Sequence, residues 1–250
     1  MAAGEDKPNG REVQRQETRQ RVYAAAAAEF KRVGMAAADV SLIVKEAGVA
    51  RGTFYFHFPA KEHILAELER HEEARLAAQL EKFLARPHDL AGALTETVRL
   101  MAQMERRVGK VLFREMLALH FSPNRPEVLP GTDQWTDYPM MTLVVRAIAL
   151  ARDRGEAYPE ADPLRTAQFF MLGLYAVLIT SHDLSRAERA GIIDNFVATV
   201  LRSVEARPGE QRALPVRFRW DARRSSSPGR RAGGAGWACR SSRRRSRAAG

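Results

Sequence analysis

The sequence contains a single cysteine, and it lacks the features that mark secreted or membrane-spanning proteins. One thiol, Cys239, cannot form an intramolecular disulfide or a multi-cysteine metal cluster, so redox chemistry is not expected. The longest apolar stretch, 169–180, is shorter than the roughly 20 residues that a membrane span needs, and it predicts a buried helix. The first residues are polar and show no apolar signal segment. We therefore expect a cytoplasmic protein without membrane contact.

Most of the chain also lacks an excess of charge of either sign. The formal net charge is +10, but residues 207–250 alone contain thirteen arginines and only two acidic residues. Residues 1–206 carry 27 basic and 28 acidic residues, which leaves a net charge of -1. The overall charge is therefore no evidence for nucleic-acid binding, and a nearly neutral body would bind DNA only through local positive charge.

Composition separates both ends of the chain from its centre. Residues 1–14 are predicted to form a mobile arm. Residues 207–250 are predicted to form an Arg-rich disordered tail, because Arg, Ser, Gly and Ala in this proportion cannot bury enough apolar surface to fold. Three interpretations of the tail stay open: salt-sensitive, sequence-independent attraction to DNA, a solvated segment without a role, or translation past a shifted reading frame in GC-rich DNA.

Between these ends, apolar residues recur at helical spacing. The first periodic segment begins at Thr18 and ends at Gly34. No segment shows the sustained two-residue alternation of a strand, so the predicted fold is all-α. After two short N-terminal segments, the longer predicted helices lie at 61–83, 89–107, 109–120, 137–155, 162–183 and 186–206. Residues 122–136, which are rich in proline, are predicted to form a loop.

Two short segments near the N-terminus have the pattern of a helix-turn-helix. Asp39 is a good N-cap before an apolar stripe at i, i+3, i+4 and i+7, and Gly48 ends this segment after two turns. The second segment, 51–58, places Phe54 and Phe58 on one face and is followed by a proline. Two short helices joined by a glycine-containing turn are typical of the motif that inserts its second helix into the major groove of DNA.

The stretch that begins at Thr18 carries the sequence AGVARGTFYFHF at 47–58, followed by Lys61 and Glu62. It resembles the N-terminal domain of the TetR family of bacterial repressors. Between the arm at 1–14 and the tail at 207–250, the resemblance implies a helix-turn-helix DNA-binding domain at 15–62 and a helical effector-binding and dimerisation domain at 63–206. It further implies a homodimeric repressor that binds double-stranded DNA at a palindromic operator and is released by a small, largely apolar effector.

The resemblance assigns DNA contacts to individual residues. Arg51 and Phe56 occupy positions that help to select the DNA sequence, and a bidentate Arg–guanine contact would contribute about 1–3 kcal/mol of discrimination. Ala50 replaces the hydroxyl residue that often caps the recognition helix, a loss of about 1 kcal/mol. The implied DNA-binding residues are Thr18, Ser41, Arg51, Gly52, Thr53, Tyr55, Phe56, His57 and Lys61.

The C-terminal helices carry the other two implied functions. In the family, the last two helices form a four-helix bundle with those of a second subunit, and the middle helices enclose an effector. A dimer is also expected because two recognition helices read two half-sites. The implied dimer residues are Phe170, Leu174, Leu178, Ile193, Phe196, Val197 and Val200. The candidate effector residues are Met101, Met104, Phe113, Met116, Leu117, His120, Trp135, Tyr138 and Phe169.

Two other classes of function stay open as alternatives. A TetR-like helical protein that acts through a protein partner is one, although such a protein would lack the exposed Arg, Thr and Tyr that this recognition helix carries. An enzyme is the remote alternative, because no Gly-x-Ser-x-Gly, Walker or His-Glu-x-x-His pattern is present. We expect no catalytic residue, no metal site and no cofactor.

Overall fold

The computed structural model describes residues 10–123, 125–127, 129 and 137–205. The prediction of an all-α fold is confirmed, because the only strand-type pairing within these residues is an isolated bridge between Ala157 and Glu205. The helices are α1 (Gly10–Val33), α2 (Val40–Ala47), α3 (Arg51–His57), α4 (Lys61–Leu84), α5 (Leu90–Val108), α6 (Lys110–His120), α7 (Pro139–Asp153), α8 (Pro163–Thr180) and α9 (Arg186–Val204).

The first helix differs from its prediction. It begins at Gly10, eight residues before Thr18, so Thr18 lies inside the helix and donates its hydroxyl to the Gln14 carbonyl at 2.8 Å. Residues 10–14 of the predicted mobile arm are therefore helical. Apolar periodicity could not reveal this segment, because its first two turns are almost entirely polar and rely on good helix formers instead of buried residues. Residues 1–9 lie outside the described part of the chain.

The later helices begin and end within three residues of their predicted positions. Local caps explain this agreement. The carboxylates of Asp39, Asp89 and Asp162 each accept a backbone N–H in the first turn of the helix that follows. Ser185 and Glu188 form a reciprocal capping box at the start of α9. Such caps satisfy N–H groups that the first turn of a helix leaves unpaired. The predicted tail and most of the loop before α7 lie outside the described residues.

One continuous set of buried side chains extends from α1 to α9. Among the N-terminal helices, the largest side chains of this core are Phe30, Phe54 and Phe58. Among the C-terminal helices they include Phe113 and Phe170. The central element is α4, which packs against α1, α5, α6 and α7. Because α4 begins beside α3 and runs into the middle of the C-terminal helices, one rigid element contacts both regions.

Two largely buried ion pairs join α5 to its neighbours. Glu105 on α5 binds Arg189 on α9, and Arg107 on α5 binds Glu72 on α4. Loss of one partner would leave an uncompensated charge in the interior, which is strongly destabilising. These pairs therefore fix α5 in position against α4 and α9.

Candidate nucleic-acid interface

The turn between α2 and α3 depends on one glycine. Gly48 adopts the left-handed conformation, with φ 63° and ψ 42°, and its N–H donates to the Lys45 carbonyl. The next N–H, of Val49, donates to the Val44 carbonyl at 3.0 Å. A side chain at position 48 would strain this conformation. The tight turn brings the start of α3 directly after the end of α2, as the sequence pattern predicted.

The inner face of α3 anchors it to the protein. Phe54 and Phe58 are almost completely buried, with ring centroids 6.5 Å apart. The guanidinium of Arg19 on α1 lies 4.5 Å from the Phe58 ring centroid and forms two hydrogen bonds with the Glu67 carboxylate on α4. This arrangement fixes α3 between α1 and α4, so its outer face has a defined orientation.

The outer face of α3 is exposed and contains large side chains. Phe56 is 68% exposed and Tyr55 is 43% exposed. Arg51 is also exposed, with its guanidinium 5.9 Å from the Tyr55 ring centroid. A Cβ at Gly52 would meet no atom within 4 Å, so the backbone there is open to close approach. An arginine, a tyrosine and a phenylalanine on one short helix form a surface suited to base edges and phosphates.

The first turns of α1 extend this surface. Arg15 places its guanidinium 5.5 Å from the Phe56 ring centroid, next to the end of α3. Burial, followed by the positive charges of Arg15 and Arg19, lowers the pKa of His57, so its imidazole is neutral near neutral pH. Residues 10–62 contain nine Arg and Lys residues and six acidic ones. The local charge is positive although residues 1–206 are nearly neutral. Arg15 was missed because it precedes Thr18, where the first helix was predicted to begin.

The structure gives Lys61 a role that the sequence did not indicate. Its ammonium group donates to the carbonyl oxygens of Met35, Ala36 and Ala38 at 2.7, 3.1 and 3.1 Å. From the other side, the Glu115 carboxylate of α6 accepts the N–H groups of Met35 and Ala36. The loop between α1 and α2 is thus held by α4 and α6 together. The ammonium of Lys61 is engaged in this loop, unlike the predicted contact with the DNA backbone.

The other predicted DNA-binding residues take different positions relative to this face. Ser41 is exposed in the first turn of α2, and Thr53 is half-buried at the side of α3. Thr18 lies on α1, where its hydroxyl also accepts a hydrogen bond from Arg21 at 3.4 Å. Helices α1, α2 and α3 pack on one another, and the DNA contacts of these residues stay a prediction.

The predicted dimer residues do not form one exposed face. Phe170, Leu174 and Leu178 are completely buried inside the chain and Val197 is nearly so, so the prediction that these four contact a second subunit is wrong. The remaining three, Ile193, Phe196 and Val200, are partly buried against the same core. Helix α8 is apolar on almost every side, so periodicity could not tell which stripe faces its own core.

A neighbouring stripe of the same helices is exposed instead. Phe169 is 80% exposed, and Leu172 on α8 and Ile192 on α9 are each more than 40% exposed. The prediction that Phe169 lines an effector pocket is therefore wrong. Its neighbour Phe170 takes the interior position, where its ring stacks on Phe196 with centroids 5.8 Å apart.

The other candidate effector residues lie in or near the interior. Met101, Met104, Phe113, Met116 and Leu117 are buried in the core formed by α5 and α6 and their neighbours. Trp135 lies outside the described residues. His120 is buried at the end of α6, where its ring lies 4.7 Å from that of Tyr138.

An open cleft of about 490 Å³ lies beside Tyr138, between α4 and the start of α7. Tyr138 is the one predicted effector residue among those that the structure describes around this cleft. The other lining residues are Glu69, Arg70, Glu73, Ala74, Leu129, Asp137 and Pro139. Glu69 and Glu73 were missed by the sequence analysis. For Glu69 the sequence did contain a signal. Glu69, like Glu72, stands at a position of the apolar stripe that runs from Leu65 to Leu76 on α4, where a charged residue is unexpected.

Comparisons with known proteins place this arrangement in context. Residues 22–68 match the family described as bacterial regulatory proteins, tetR family. The matched region contains the second half of α1, all of α2 and α3, and the first turns of α4. It therefore coincides with the elements that build the exposed face of α3.

Two relatives share parts of the sequence. The A-factor receptor protein of Streptomyces griseus is 25% identical over 191 residues, which is 74% of this chain and 62% of the receptor. The HTH-type transcriptional regulator YdgC of Bacillus subtilis is 43% identical over 68 residues, 27% of this chain and 35% of that protein. The similarity thus spans less than two thirds of the length of either relative.

Solved structures share the fold over a longer part of the chain. Thermus thermophilus FadR, described as a TetR-family transcriptional repressor in complex with lauroyl-CoA, has a TM-score of 0.61 at 20% identity. The match covers 77% of this chain and 98% of FadR. At this identity the likeness establishes a common fold, including the C-terminal helices that follow the region of residues 22–68.

Proposed function

From the premise that this chain belongs to the TetR family of bacterial regulatory proteins, we propose that it is a DNA-binding transcriptional repressor. It binds a palindromic operator as a homodimer and leaves it when a small effector binds among the C-terminal helices. The observation that carries this proposal is the exposed outer face of α3. Arg51, Tyr55 and Phe56 project from this helix, and its inner face is buried against the rest of the protein. In this proposal, residues 15–62 bind DNA, and residues 63–206 bind the effector and form the dimer.

The DNA interface combines local positive charge with a preformed helix. Arg51 and Tyr55 face outward on α3, and Arg15 flanks its end. Arginine contacts guanine edges and phosphates, whereas Tyr and Thr hydroxyls mainly bind phosphates and fix the register of the protein. Phe56 is 68% exposed, so its ring is available to a partner, and apolar contact with a thymine methyl group would suit it.

The second copy of the chain covers the exposed stripe of α8 and α9. Phe169, Leu172 and Ile192 form an apolar surface on two adjacent antiparallel helices. A two-fold pair of such surfaces buries the same residues on both subunits and gives a four-helix bundle. By length and composition alone α8 is apolar enough to span a membrane, with 28% of it buried. A covering subunit accounts for the same exposed residues in a protein that acts in the cytoplasm.

Two helices couple the effector region to the DNA interface. Helix α4 carries Lys61, which holds the loop before α2, and Glu73, which lines the cleft twelve residues later, about 18 Å along the helix. Helix α6 carries Glu115, which holds the same loop, and ends at His120, whose ring contacts the cleft residue Tyr138. An effector that favours one position of these helices must change operator affinity by its differential affinity for the two positions.

The proposal is tested by binding of the full chain to the DNA upstream of its own gene. Fluorescence anisotropy at several salt concentrations would compare the natural protein with an Arg51→Ala/Tyr55→Ala variant. Lys82→Ala is a matched control, because Lys82 is an exposed cation at the end of α4 remote from α3. We expect tight binding to one short site, lost in the double variant and kept in the control. Each lost phosphate contact also lowers the salt dependence of binding.

The opposite results have defined meanings. Equal binding by the double variant would show that α3 does not read DNA and would reject the proposal. Absence of any site-limited binding would make a protein partner the better explanation of the exposed α3 face. If analytical ultracentrifugation showed a monomer at micromolar concentration, the proposal that a second subunit covers α8 and α9 would be rejected.

A further inference from the structure

The cleft beside α7 contains an unusual arrangement of negative charge. Glu69 and Glu73 lie four residues apart on α4, so their side chains share one face of the helix. Like charges at this spacing destabilise a helix even at the surface. Here the face is directed inward, and both side chains line the cleft of about 490 Å³. Asp137 adds a third carboxylate at the exposed rim.

Glu69 is only partly satisfied by the protein. It is 9% exposed, and its Oε1 lies 2.7 Å from Nδ1 of His120. Its Oε2 is buried and has no hydrogen-bond partner. A buried carboxylate oxygen without a donor is destabilising, because its water is lost and nothing replaces it. The side chain therefore has an unused acceptor at a cleft of ligand size.

Glu73 is half-buried and accepts one backbone hydrogen bond. Its Oε1 accepts the Met140 N–H at 2.9 Å. No arginine or lysine of the described residues lies within ion-pair distance of it. Burial, and to a smaller extent the charge of Glu69, raises the pKa of Glu73 to about 7, against the lowering effect of the Met140 N–H and His120. Glu73 therefore has no arginine or lysine partner among the described residues, although Arg125 is close enough to the cleft residue Tyr138 to act on its pKa.

Aromatic rings lie at the cleft and directly behind it. Tyr138 lines the cleft, and His120 lies between the rings of Tyr138 and Tyr175, at 4.7 and 6.2 Å. Burial, followed by the charges of Glu73 and Glu69, raises the pKa of Tyr175 well above its ordinary value. The phenol groups stay protonated and add no negative charge. Aromatic faces next to carboxylates favour a cation that also carries an apolar body.

We propose that this cleft binds a small organic cation, an amine with an aromatic or aliphatic body, whose ammonium group lies between Glu69 and Glu73. This deepens the proposed function and rests on it in one respect, that the bound amine is the effector that changes operator affinity. The amine would donate hydrogen bonds to Glu69 Oε2 and to the second oxygen of Glu73. Its body would lie against Tyr138 and Leu129. The volume is in the range of roughly 300–1,000 Å³ that small-molecule sites occupy.

Other ligand classes fit less well. An anion would meet three carboxylates, and the nearest arginine on α4, Arg70, is exposed at the edge of the cleft. No group of three His, Cys, Asp or Glu residues in the described ranges is arranged to hold a metal ion. A neutral apolar molecule would leave Glu69 Oε2 without a donor. Only a cationic donor answers both the charge and the missing hydrogen bond.

The test uses three probes with the same ring system and different charge: tryptamine, the alcohol tryptophol, and indole-3-acetate. Isothermal titration calorimetry of the full chain near pH 8, where Glu73 is ionised, measures each affinity. We expect tryptamine to bind at least about tenfold more tightly than tryptophol, and indole-3-acetate not to bind. The tenfold difference corresponds to a modest ion pair.

Two substitutions locate the site. Glu73→Gln keeps the oxygen that accepts the Met140 N–H but removes the charge, so it should weaken tryptamine binding about tenfold and leave tryptophol binding unchanged. Glu160→Gln is the matched control, because Glu160 is an exposed carboxylate away from the cleft. Circular dichroism and thermal unfolding establish that both variants fold. Asp137→Asn, at the rim, should weaken tryptamine binding less than Glu73→Gln.

The outcomes separate this inference from the proposed function. Absence of tryptamine binding, tryptophol or indole-3-acetate binding as tight as tryptamine, or tryptamine binding unchanged in Glu73→Gln would each overturn the amine site. Operator binding is measured on the same samples without probe. A protein that binds tryptamine through Glu73 but no DNA keeps the amine site and loses the proposed function, whereas DNA binding without amine binding does the reverse.

Discussion

The outer face of α3 and the cleft beside α7 both present polar and aromatic side chains, but they do so in opposite ways. On α3, Arg51 and Phe56 are exposed and project from a short helix whose other side is buried. Around the cleft, Glu69, His120 and Tyr138 come from segments up to 69 residues apart and are mostly buried.

This difference determines what each region costs the protein. Exposed side chains on α3 are hydrated until DNA replaces the water, so their presence is nearly neutral for folding. The buried carboxylate of Glu69 and the half-buried carboxylate of Glu73 lose water on folding and obtain incomplete compensation. A DNA-reading surface can thus be added to a stable scaffold, whereas a buried ligand site is built at the expense of stability and recovers it when the ligand binds.

The largest effect should separate the two faces of α3 itself. Phe54→Ala removes a completely buried ring and should lower the free energy of unfolding by about 3–5 kcal/mol. Phe56→Ala, two residues later, removes an exposed ring and should change it by about 0.5 kcal/mol or less while weakening operator binding. Urea denaturation at fixed protein concentration measures the first effect, and DNA anisotropy the second. Similar destabilisation by both changes would contradict the assignment of inner and outer faces.

The cleft should show its cost as a pH dependence. Because the folded-state pKa of Glu73 is raised to about 7 from an ordinary value of 4.5, the folded protein holds this proton more tightly. Its contribution to stability is complete below about pH 4.5 and is lost as the pH rises through 7. Glu73→Gln should therefore be more stable than the natural protein at about pH 8, by on the order of 2 kcal/mol, with the difference vanishing near pH 4.5.

The control for this prediction is Glu160→Gln, which should follow the natural protein at both pH values because its carboxylate is exposed. Chemical denaturation of all three proteins in parallel cancels the titration of other groups. If Glu73→Gln were less stable than the natural protein at pH 8, the Glu73 carboxylate would have a stabilising partner in the folded protein. The cleft would then not contain an uncompensated charge.

A smaller effect should distinguish the two roles of Lys61. Lys61→Met removes three hydrogen bonds to the loop between α1 and α2, and should lower the free energy of unfolding by about 1–2 kcal/mol. The exposed Lys45→Met on α2 should leave stability within about 0.5 kcal/mol. If Lys61→Met weakened DNA binding without any change in thermal unfolding, the residue would belong to the DNA surface and not to the scaffold.

The smallest effect concerns the start of α3. Ala50 occupies the N-cap position in an extended conformation, and no side-chain hydrogen bond caps the helix. Ala50→Ser would supply a hydroxyl acceptor for an N–H of the first turn and should raise stability by about 0.5–1 kcal/mol. The reciprocal change Asp39→Ala at the start of α2 should lower it by about 1 kcal/mol. Thermal unfolding of both variants measures the two changes in stability. A loss of stability in Ala50→Ser would show that position 50 does not tolerate a larger side chain.

The sequence predicted some parts of the fold more accurately than others, for physical reasons. Caps such as Asp39 and glycines such as Gly48 act within a few residues, so they located helix ends correctly. The polar first turns of α1 escaped because nothing apolar marked them. The stripe of α8 that faces the core was predicted wrongly, since Phe169 and Phe170 are equally apolar and only the packing of α8 against α7 and α9 distinguishes them.

By itself, the sequence determined the all-α fold, the helix-turn-helix and the residues that project from α3. Those properties depend on side chains three to eight positions apart, and the helical period alone places them. The packing of helices far apart in the chain decided that Lys61 and Glu115 hold one loop, that Phe169 faces outward, and that Glu69, Glu73 and His120 meet at one cleft. Burial and charge compensation depend on such distant neighbours, which no local pattern records.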